Sequence, residues 1–357
     1  MVTFNEVEAS NSRIATTLPA GLVGVFIGGT NGIGEYTLKQ FARHTKQPRV
    51  YIIGRSEDAG DRIRKECETL NPDGSFTFIK SDTSLIQNVD ELCGKIKTRK
   101  KEINLLFMTI GTLDFYSSEH PQIKILPLLT CGSDTSEGLP RWTALVHFAR
   151  ARFIQNFLPE LQAAKALKRV VSVFAATKEG AFDPGDINGE RAGLSGGRGH
   201  AASMVTMGME VLAQRAPDVS FIHDYPGPVK SGIGREMAGL LGVVVRTMAT
   251  VIGPLFNIPN DESGAYHLFF ATSARYPPRS GAASASAVTL GENVSVARGI
   301  DGDIGSGVYS IDEKGECAGS KVEQLLGRMR KDGIPEKLWE HTESEWKRIT
   351  GSIEASF

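Results

Sequence analysis

The chain has 357 residues, 41% of them hydrophobic and 23% charged, with a formal net charge of -1. A balance this close to neutral leaves no basic footprint for nucleic acid or an anionic membrane, and the length suits one large α/β unit with additions as well as two domains. Cys67, Cys93, Cys131 and Cys317 lie far apart, with no CxxC pair and no histidine at ligand spacing, so they read as free thiols of a reducing compartment; no metal is expected.

The N-terminal stretch carries acidic residues and no apolar core, which points away from a secretory signal and makes cytoplasm the expected location. Residues 21–29 (GLVGVFIGG) form an apolar run entering a glycine-rich turn, and a helical pattern follows over 34–44. Residues 48–54 (PRVYIIG) read as a second buried strand, because the run is too short for a helix. A helix is expected over 61–70 and a third strand over 76–79. Leu85, Val89, Leu92 and Ile96 give an amphipathic helix over 85–99, before a fourth strand over 104–110 that ends at Gly111. A long helix over 141–167, a strand over 169–174, a helix over 199–216 and a strand over 219–223 lead to Pro226 and Gly227.

Residues 237–256 (MAGLLGVVVRTMATVIGPLF) are long enough to graze a bilayer, but they contain Arg246, Gly239, Gly242, Gly253 and Pro254. A central arginine costs roughly 2.5–3.5 kcal/mol on insertion. The segment therefore reads as an apolar helix covering a ligand cleft, not a stable membrane span. Residues 300–315 read as a hairpin, followed by helices over 321–331 and 335–349. Strands alternating with helices imply a Rossmann-like, doubly wound parallel sheet of α/β class, with a C-terminal hairpin and helical extension. No linker or repeat divides the sequence. One domain is expected over 1–357, with a core at about 20–280 and an extension at about 290–357.

The most specific motif is Gly28-Gly29-Thr30-Asn31-Gly32-Ile33-Gly34, set between a strand and a helix. Gly28 allows the tight turn, Gly32 lets backbone approach a pyrophosphate, and Gly34 lets the helix pack close to the sheet. The N–H groups of Thr30, Asn31, Gly32 and Ile33 would then face the anion at a helix N-terminus. About twenty residues on, where an NAD enzyme carries an acid, stands Gly54-Arg55-Ser56. Arg55 can pair with a 2′-phosphate, so NADP(H) is the expected cofactor. Glu57 and Asp58 follow and are expected to face solvent.

The glycine turn, Asp82 in SDTS and the segment Pro226-Gly227-Pro228-Val229-Lys230-Ser231 together resemble the short-chain dehydrogenase/reductase family over roughly residues 20–280. The long loop after strand five and the tail also resemble dehydrogenase-like proteins of fungal natural-product pathways. The resemblance implies that Asp82 meets the adenine amine, that Gly111 lines the cofactor, and that Pro226, Gly227, Val229 and Ser231 meet the nicotinamide amide.

The family's catalytic residues are missing at the matching positions. The Tyr-x-x-x-Lys window reads His200-Ala201-Ala202-Ser203-Met204, the serine position falls on Ala175, and Thr109-Ile110 stands where the family has Asn-Ala. The asparagine of the long helix aligns near Val146 or His147. Neither Tyr225 nor Tyr116 has a lysine four residues later. Met204 cannot donate a hydrogen bond, whereas His200 can act as acid or base or simply fill the tyrosine's space. Lys178 and Glu179 leave the same strand end and are the other candidate catalytic groups.

Three functions follow. The first is an enzyme that binds NADP(H) and a bulky hydrophobic organic substrate, and catalyses a non-redox cyclisation, isomerisation or dehydration. The apolar 237–256 segment and Met204, Met207 and Met209 suit such a substrate. The second is an NADPH-dependent ketoreductase with non-standard residues. The third is a non-catalytic NADP(H)-binding protein. A monomer or homodimer is expected.

Overall fold

Six apolar runs become six parallel strands, and a seventh strand joins them from the tail. The structure is a computed structural model that describes residues 1–112, 134–189, 193–230, 257–281 and 287–355. Two helices come first, α1 (Phe4–Asn11) and α2 (Ile14–Thr17). Then come β1 (Val23–Ile27), α3 (Gly32–His44), β2 (Arg49–Gly54), α4 (Glu57–Leu70), β3 (Ser75–Lys80), α5 (Ile86–Lys97) and β4 (Leu105–Met108). The second half contains α6 (Arg141–Thr143), a π-helical turn (Ala144–Phe148), α7 (Ala149–Ala163), β5 (Arg169–Val173), α8 (Gly193–Arg215) and β6 (Ser220–Asp224). It closes with α9 (Asn260–Thr272), β7 (Val308–Ile311), α10 (Ser320–Lys331) and α11 (Ile334–Thr350).

The sheet order is β3-β2-β1-β4-β5-β6-β7, parallel throughout. The order reverses between β1 and β4, and in such sheets the crevice beyond the carboxyl ends of the strands at that point is where ligands bind. Alternation along each strand feeds two cores. Val25, Ile27, Ile53 and Met108 pack with α5, α7, α8, α10 and α11. Phe26, Ile52 and Phe107 pack with α1, α3, α4 and α9. The C-terminal helices thus help to build the first of these cores, with Trp346 fully buried in it.

Four local differences from the sequence reading have physical causes. α4 starts at Glu57 because the Ser56 side chain accepts from Ala59 N–H at 3.3 Å and caps it. The expected hairpin at 300–315 is instead a single strand, Val308–Ile311, paired in parallel with β6. Gly302, Gly305 and Gly307 all have positive φ, which bends the chain before β7 rather than extending a partner strand. The long helix is broken at its start by the π turn. α9 has no amphipathic period to betray it, since every residue from Ser263 to Thr272 is buried. Residues 237–256, with Arg246, lie outside the described residues, as do Tyr116 and Cys131. Among the described residues no helix is long and apolar enough to cross a membrane, and no group of histidine, cysteine or acidic residues could hold a metal.

Candidate active site at the carboxyl edge of the sheet

The glycine turn leaves β1 with Gly28 at φ +92° and Gly32 at φ +57°, conformations that L side chains rarely adopt. A Cβ on Gly28 would stand 2.5 Å from Thr109 Oγ1, and one on Gly34 would stand 2.4 Å from the Gly28 carbonyl oxygen. Thr109 closes the turn by donating to the Gly28 carbonyl at 3.2 Å. Asn31 is the N-cap of α3 but makes no side-chain cap hydrogen bond, so the first N–H groups of the helix are not claimed by it. Arg62 braces the turn from α4, donating to the Thr30 carbonyl at 3.3 Å while paired with Glu35 at 2.6 Å. Burial pushes the Glu35 carboxyl up, but hydrogen bonds from Arg62 and Lys39 hold it below its usual range.

A Cβ at Gly54 would meet Thr30 Cγ2 at 2.7 Å, so the end of β2 runs against the turn and sets exposed Arg55 beside it. Glu57 and Asp58 are exposed. Asp82 is exposed too, with Oδ1 accepting from Ser84 N–H at 3.0 Å and from Ser84 Oγ at 2.8 Å. Gly111 faces open space, where a Cβ would meet nothing within 4 Å. After β6, Gly227 has φ +68°, Val229 bridges to Ile258, and Tyr36 donates to the Lys230 carbonyl at 3.0 Å. Pro226 is half-buried on the same segment, and Ser231 lies outside the described residues.

The candidate catalytic groups divide. His200, near the start of α8, is only 2% exposed, and its Nε2–H donates to the Ile187 carbonyl at 3.1 Å. Phe182 stacks on the ring with centroids 4.5 Å apart. Burial lowers the His200 pKa against the pull of the Ile187 carbonyl, Asp186 and Asp183. The sequence left this ring a choice between acid–base work and filling space; the loop leaving β5 folds over it, and its Ile187 carbonyl accepts the Nε2–H hydrogen bond.

Glu179 was expected to face the cleft; it is turned inward instead. Its Oε1 accepts from Thr206 Oγ1 at 2.8 Å and from Ser310 Oγ at 2.6 Å. His223 Nδ1 shares Thr206 Oγ1 at 2.8 Å, and His223 Nε2 accepts Ala175 N–H at 3.2 Å, which puts the ring proton on Nδ1. Burial pushes the Glu179 carboxyl up, yet His223, Ser310 and Thr206 hold it below its usual value. The network ties the loop after β5 to β6, β7 and α8. Lys178 alone of the three is exposed, with Nζ 5.1 Å from the centroid of the Tyr225 ring. Met204, Met207 and Met209 are buried in the core beneath the sheet's helices, and Met209 borders a small cavity with His147 and Arg150.

Sequence reasoning missed a buried cation. Arg150, on α7, donates from Nη1 to Ser172 Oγ at 2.6 Å and from Nη2 to the Val173 carbonyl at 3.0 Å and to the Ile110 carbonyl. Burial pushes its pKa down to about 9, and Asp224 pulls the other way. The guanidinium thus gathers carbonyls at the ends of β4 and β5, among them that of Ile110, the residue before Gly111. His147, three residues earlier, donates Nε2–H to Thr342 Oγ1 at 2.8 Å and anchors α11. Its pKa is driven down to about 3 by burial, with His341 and His200 adding to the effect.

No family model matches the chain. Oxidoreductase AN1596 of Emericella nidulans is 36% identical over 346 residues, covering 96% of this chain and 98% of that one. Short-chain dehydrogenase/reductase SAT2 of Stachybotrys chartarum is 30% identical over 340 residues, covering 91% and 92%. The chain belongs to the short-chain dehydrogenase/reductase family. The Pseudomonas aeruginosa RhlG/NADP active-site complex shares the fold of this dehydrogenase/reductase, with a TM-score of 0.52 at 16% identity over 79% of this chain and 98% of that one. None of this chain's seven tyrosines is followed four residues later by lysine.

Proposed function

We propose that the protein is an NADP(H)-dependent oxidoreductase acting on a bulky, apolar organic substrate without the family's Tyr–Lys pair. The observation that carries this reading is the fit of the turn: Gly34 is pressed so near the Gly28 carbonyl that only a glycine leaves the cradle open. Residues Gly28, Thr30, Asn31, Gly32, Ile33 and Gly34 would hold the pyrophosphate, Arg55 the 2′-phosphate and Asp82 the adenine. Gly111, Pro226, Gly227, Val229 and Ser231 would border the nicotinamide. NADP(H), when bound, supplies or accepts a hydride. The names of the relatives, oxidoreductases and a short-chain dehydrogenase/reductase, support redox chemistry. The composition of 237–256 supports an apolar substrate. The protein's own task is to orient the substrate and exclude water, with Arg150 stiffening the floor of the cleft from beneath. The test is stoichiometry: NADPH oxidised mole for mole with product sustains the reading.

The second reading is a non-redox step, a cyclisation, isomerisation or dehydration, on the same frame. The absence of Tyr-x-x-x-Lys anywhere in the chain favours it. Product formed with no change in NADPH would select it over reduction. Cofactor binding without turnover of any substrate would leave the binding-only reading.

A further inference from the structure

The corner where the family keeps its tyrosine and serine holds a different set of groups here. Lys178 lies in the loop leaving β5, Arg198 lies near the start of α8 two residues before His200, and Tyr225 is the first residue after β6. Lys178 Nζ and Arg198 Cζ stand over the same Tyr225 ring, at 5.1 Å and 4.9 Å from its centroid. Both cations are exposed and the tyrosine is half-buried. Among the described residues neither cation has a carboxylate within ion-pair distance.

Two like charges gathered on one ring without a counter-charge repel each other, and an anion placed between them relieves that repulsion. The ring holds them there by its quadrupole. The loop is also pinned on both sides of Lys178. Thr177, a β-branched residue, sits in the left-handed region at φ +63°, with its N–H donating to Ser310 Oγ at 2.8 Å. Glu179 is buried in its network with Thr206 and Ser310. Strain of this kind persists only where the surroundings over-determine it, and it is common at ligand clamps. The cofactor's phosphates do not account for the cations. The glycine turn leaves β1, three strands away from β6 in the sheet, or roughly 14 Å at the usual strand spacing.

We infer that Lys178, Arg198 and the Tyr225 ring form an oxyanion-binding subsite, which receives a carboxylate or enolate oxygen of an otherwise apolar substrate. This rests on the proposed function only in taking the β5–β6 edge as the substrate side of the cleft. The subsite makes the substrate an amphipathic organic acid and fixes which end of it enters next to Ala175. Lys178 and Arg198 bind the charge, and Tyr225 is the platform that positions them.

The test uses two fluorescent dyes with one skeleton, 8-anilinonaphthalene-1-sulfonate and its neutral counterpart N-phenyl-1-naphthylamine, titrated into the full chain with and without NADPH. The anionic dye is expected to bind about tenfold tighter at low salt. That advantage should fall at least fivefold in Lys178→Gln/Arg198→Gln and in Tyr225→Leu, and persist in Tyr225→Phe, while affinity for the neutral dye stays constant. An advantage unchanged in the double variant would overturn the inference. So would a double variant that loses NADPH affinity but keeps the dye preference, because the cations would then serve the cofactor. Dye binding needs no turnover, so a failure to oxidise NADPH would count against the proposed reaction and leave this result standing on its own.

Discussion

Gly34 and the carbonyl of Gly28 are in such close approach that a single added carbon at position 34 would stand 2.4 Å from the oxygen. Neither partner can yield, since one is backbone at the end of β1 and the other is backbone in the first turn of α3. Gly34→Ala is therefore expected to push the helix off the strand. NADPH affinity should fall at least tenfold, or about 1.4 kcal/mol, with a similar loss of stability. Isothermal titration together with thermal melts checks both, and wild-type affinity in the alanine variant would refute the cradle.

Arg55 follows Gly54, whose missing side chain lets β2 end against Thr30. Arg55→Ala should weaken NADPH by roughly 1–3 kcal/mol and leave NADH nearly unchanged, as expected for a charge-assisted contact to one phosphate. Parallel titrations with the two cofactors decide it, and equal losses for both would remove the 2′-phosphate assignment.

His200 has its Nε2–H on the Ile187 carbonyl and its face under Phe182. His200→Phe is expected to cost about 1–3 kcal/mol by leaving that carbonyl without its donor. It should change turnover far less than the roughly 10²–10⁴-fold of a lost general acid. Denaturant melts and single-turnover rates separate the two, and a thousandfold rate loss at unchanged stability would restore His200 as the acid.

His147 supplies a pH dependence with a definite sign. Burial lowers its folded pKa to about 3 from an ordinary 6.5, so its contribution to stability is complete above pH 6.5 and is lost as pH falls toward 3. Between pH 6.5 and pH 4.5 this one group should remove about 2–3 kcal/mol. In His147→Asn the urea-melt difference between pH 7.5 and pH 4.5 should shrink by that order. An undiminished difference would mean that other groups control acid unfolding.

Strands were legible wherever a short apolar run met a turn, and the glycine motif, set between a strand and a helix, marked the tight turn from β1 into α3. What escaped was set by tertiary contact. α9 is buried on all sides, so it shows no periodic face. β7 looked like half of a hairpin because Val308–Ile311 is followed by a turn, but its partner is the open edge of β6, more than eighty residues earlier. Glu179 looked like a cleft acid from its loop position. Its hydrogen-bond partner Ser310 is 131 residues away and could not be read from the local sequence. Arg150 gave no signal because its partners are mostly backbone carbonyls, which every residue has.

The π turn at Ala144–Phe148 has a geometric meaning of its own. One extra residue in a helical turn rotates everything before it by about 100° relative to everything after. Upstream, Trp142 is aimed at Gly189, where a Cβ would meet its ring at 2.7 Å, on the loop that covers His200. Downstream, Arg150 is aimed at the ends of β4 and β5. Deleting any one residue of 144–148 would leave a sound helix of nearly the same length, but with its two halves out of phase. The contact with the loop over His200 and the contact with the strand ends could then be satisfied one at a time and never together, so the bulge works as an angular coupling between that loop and the edge of the sheet.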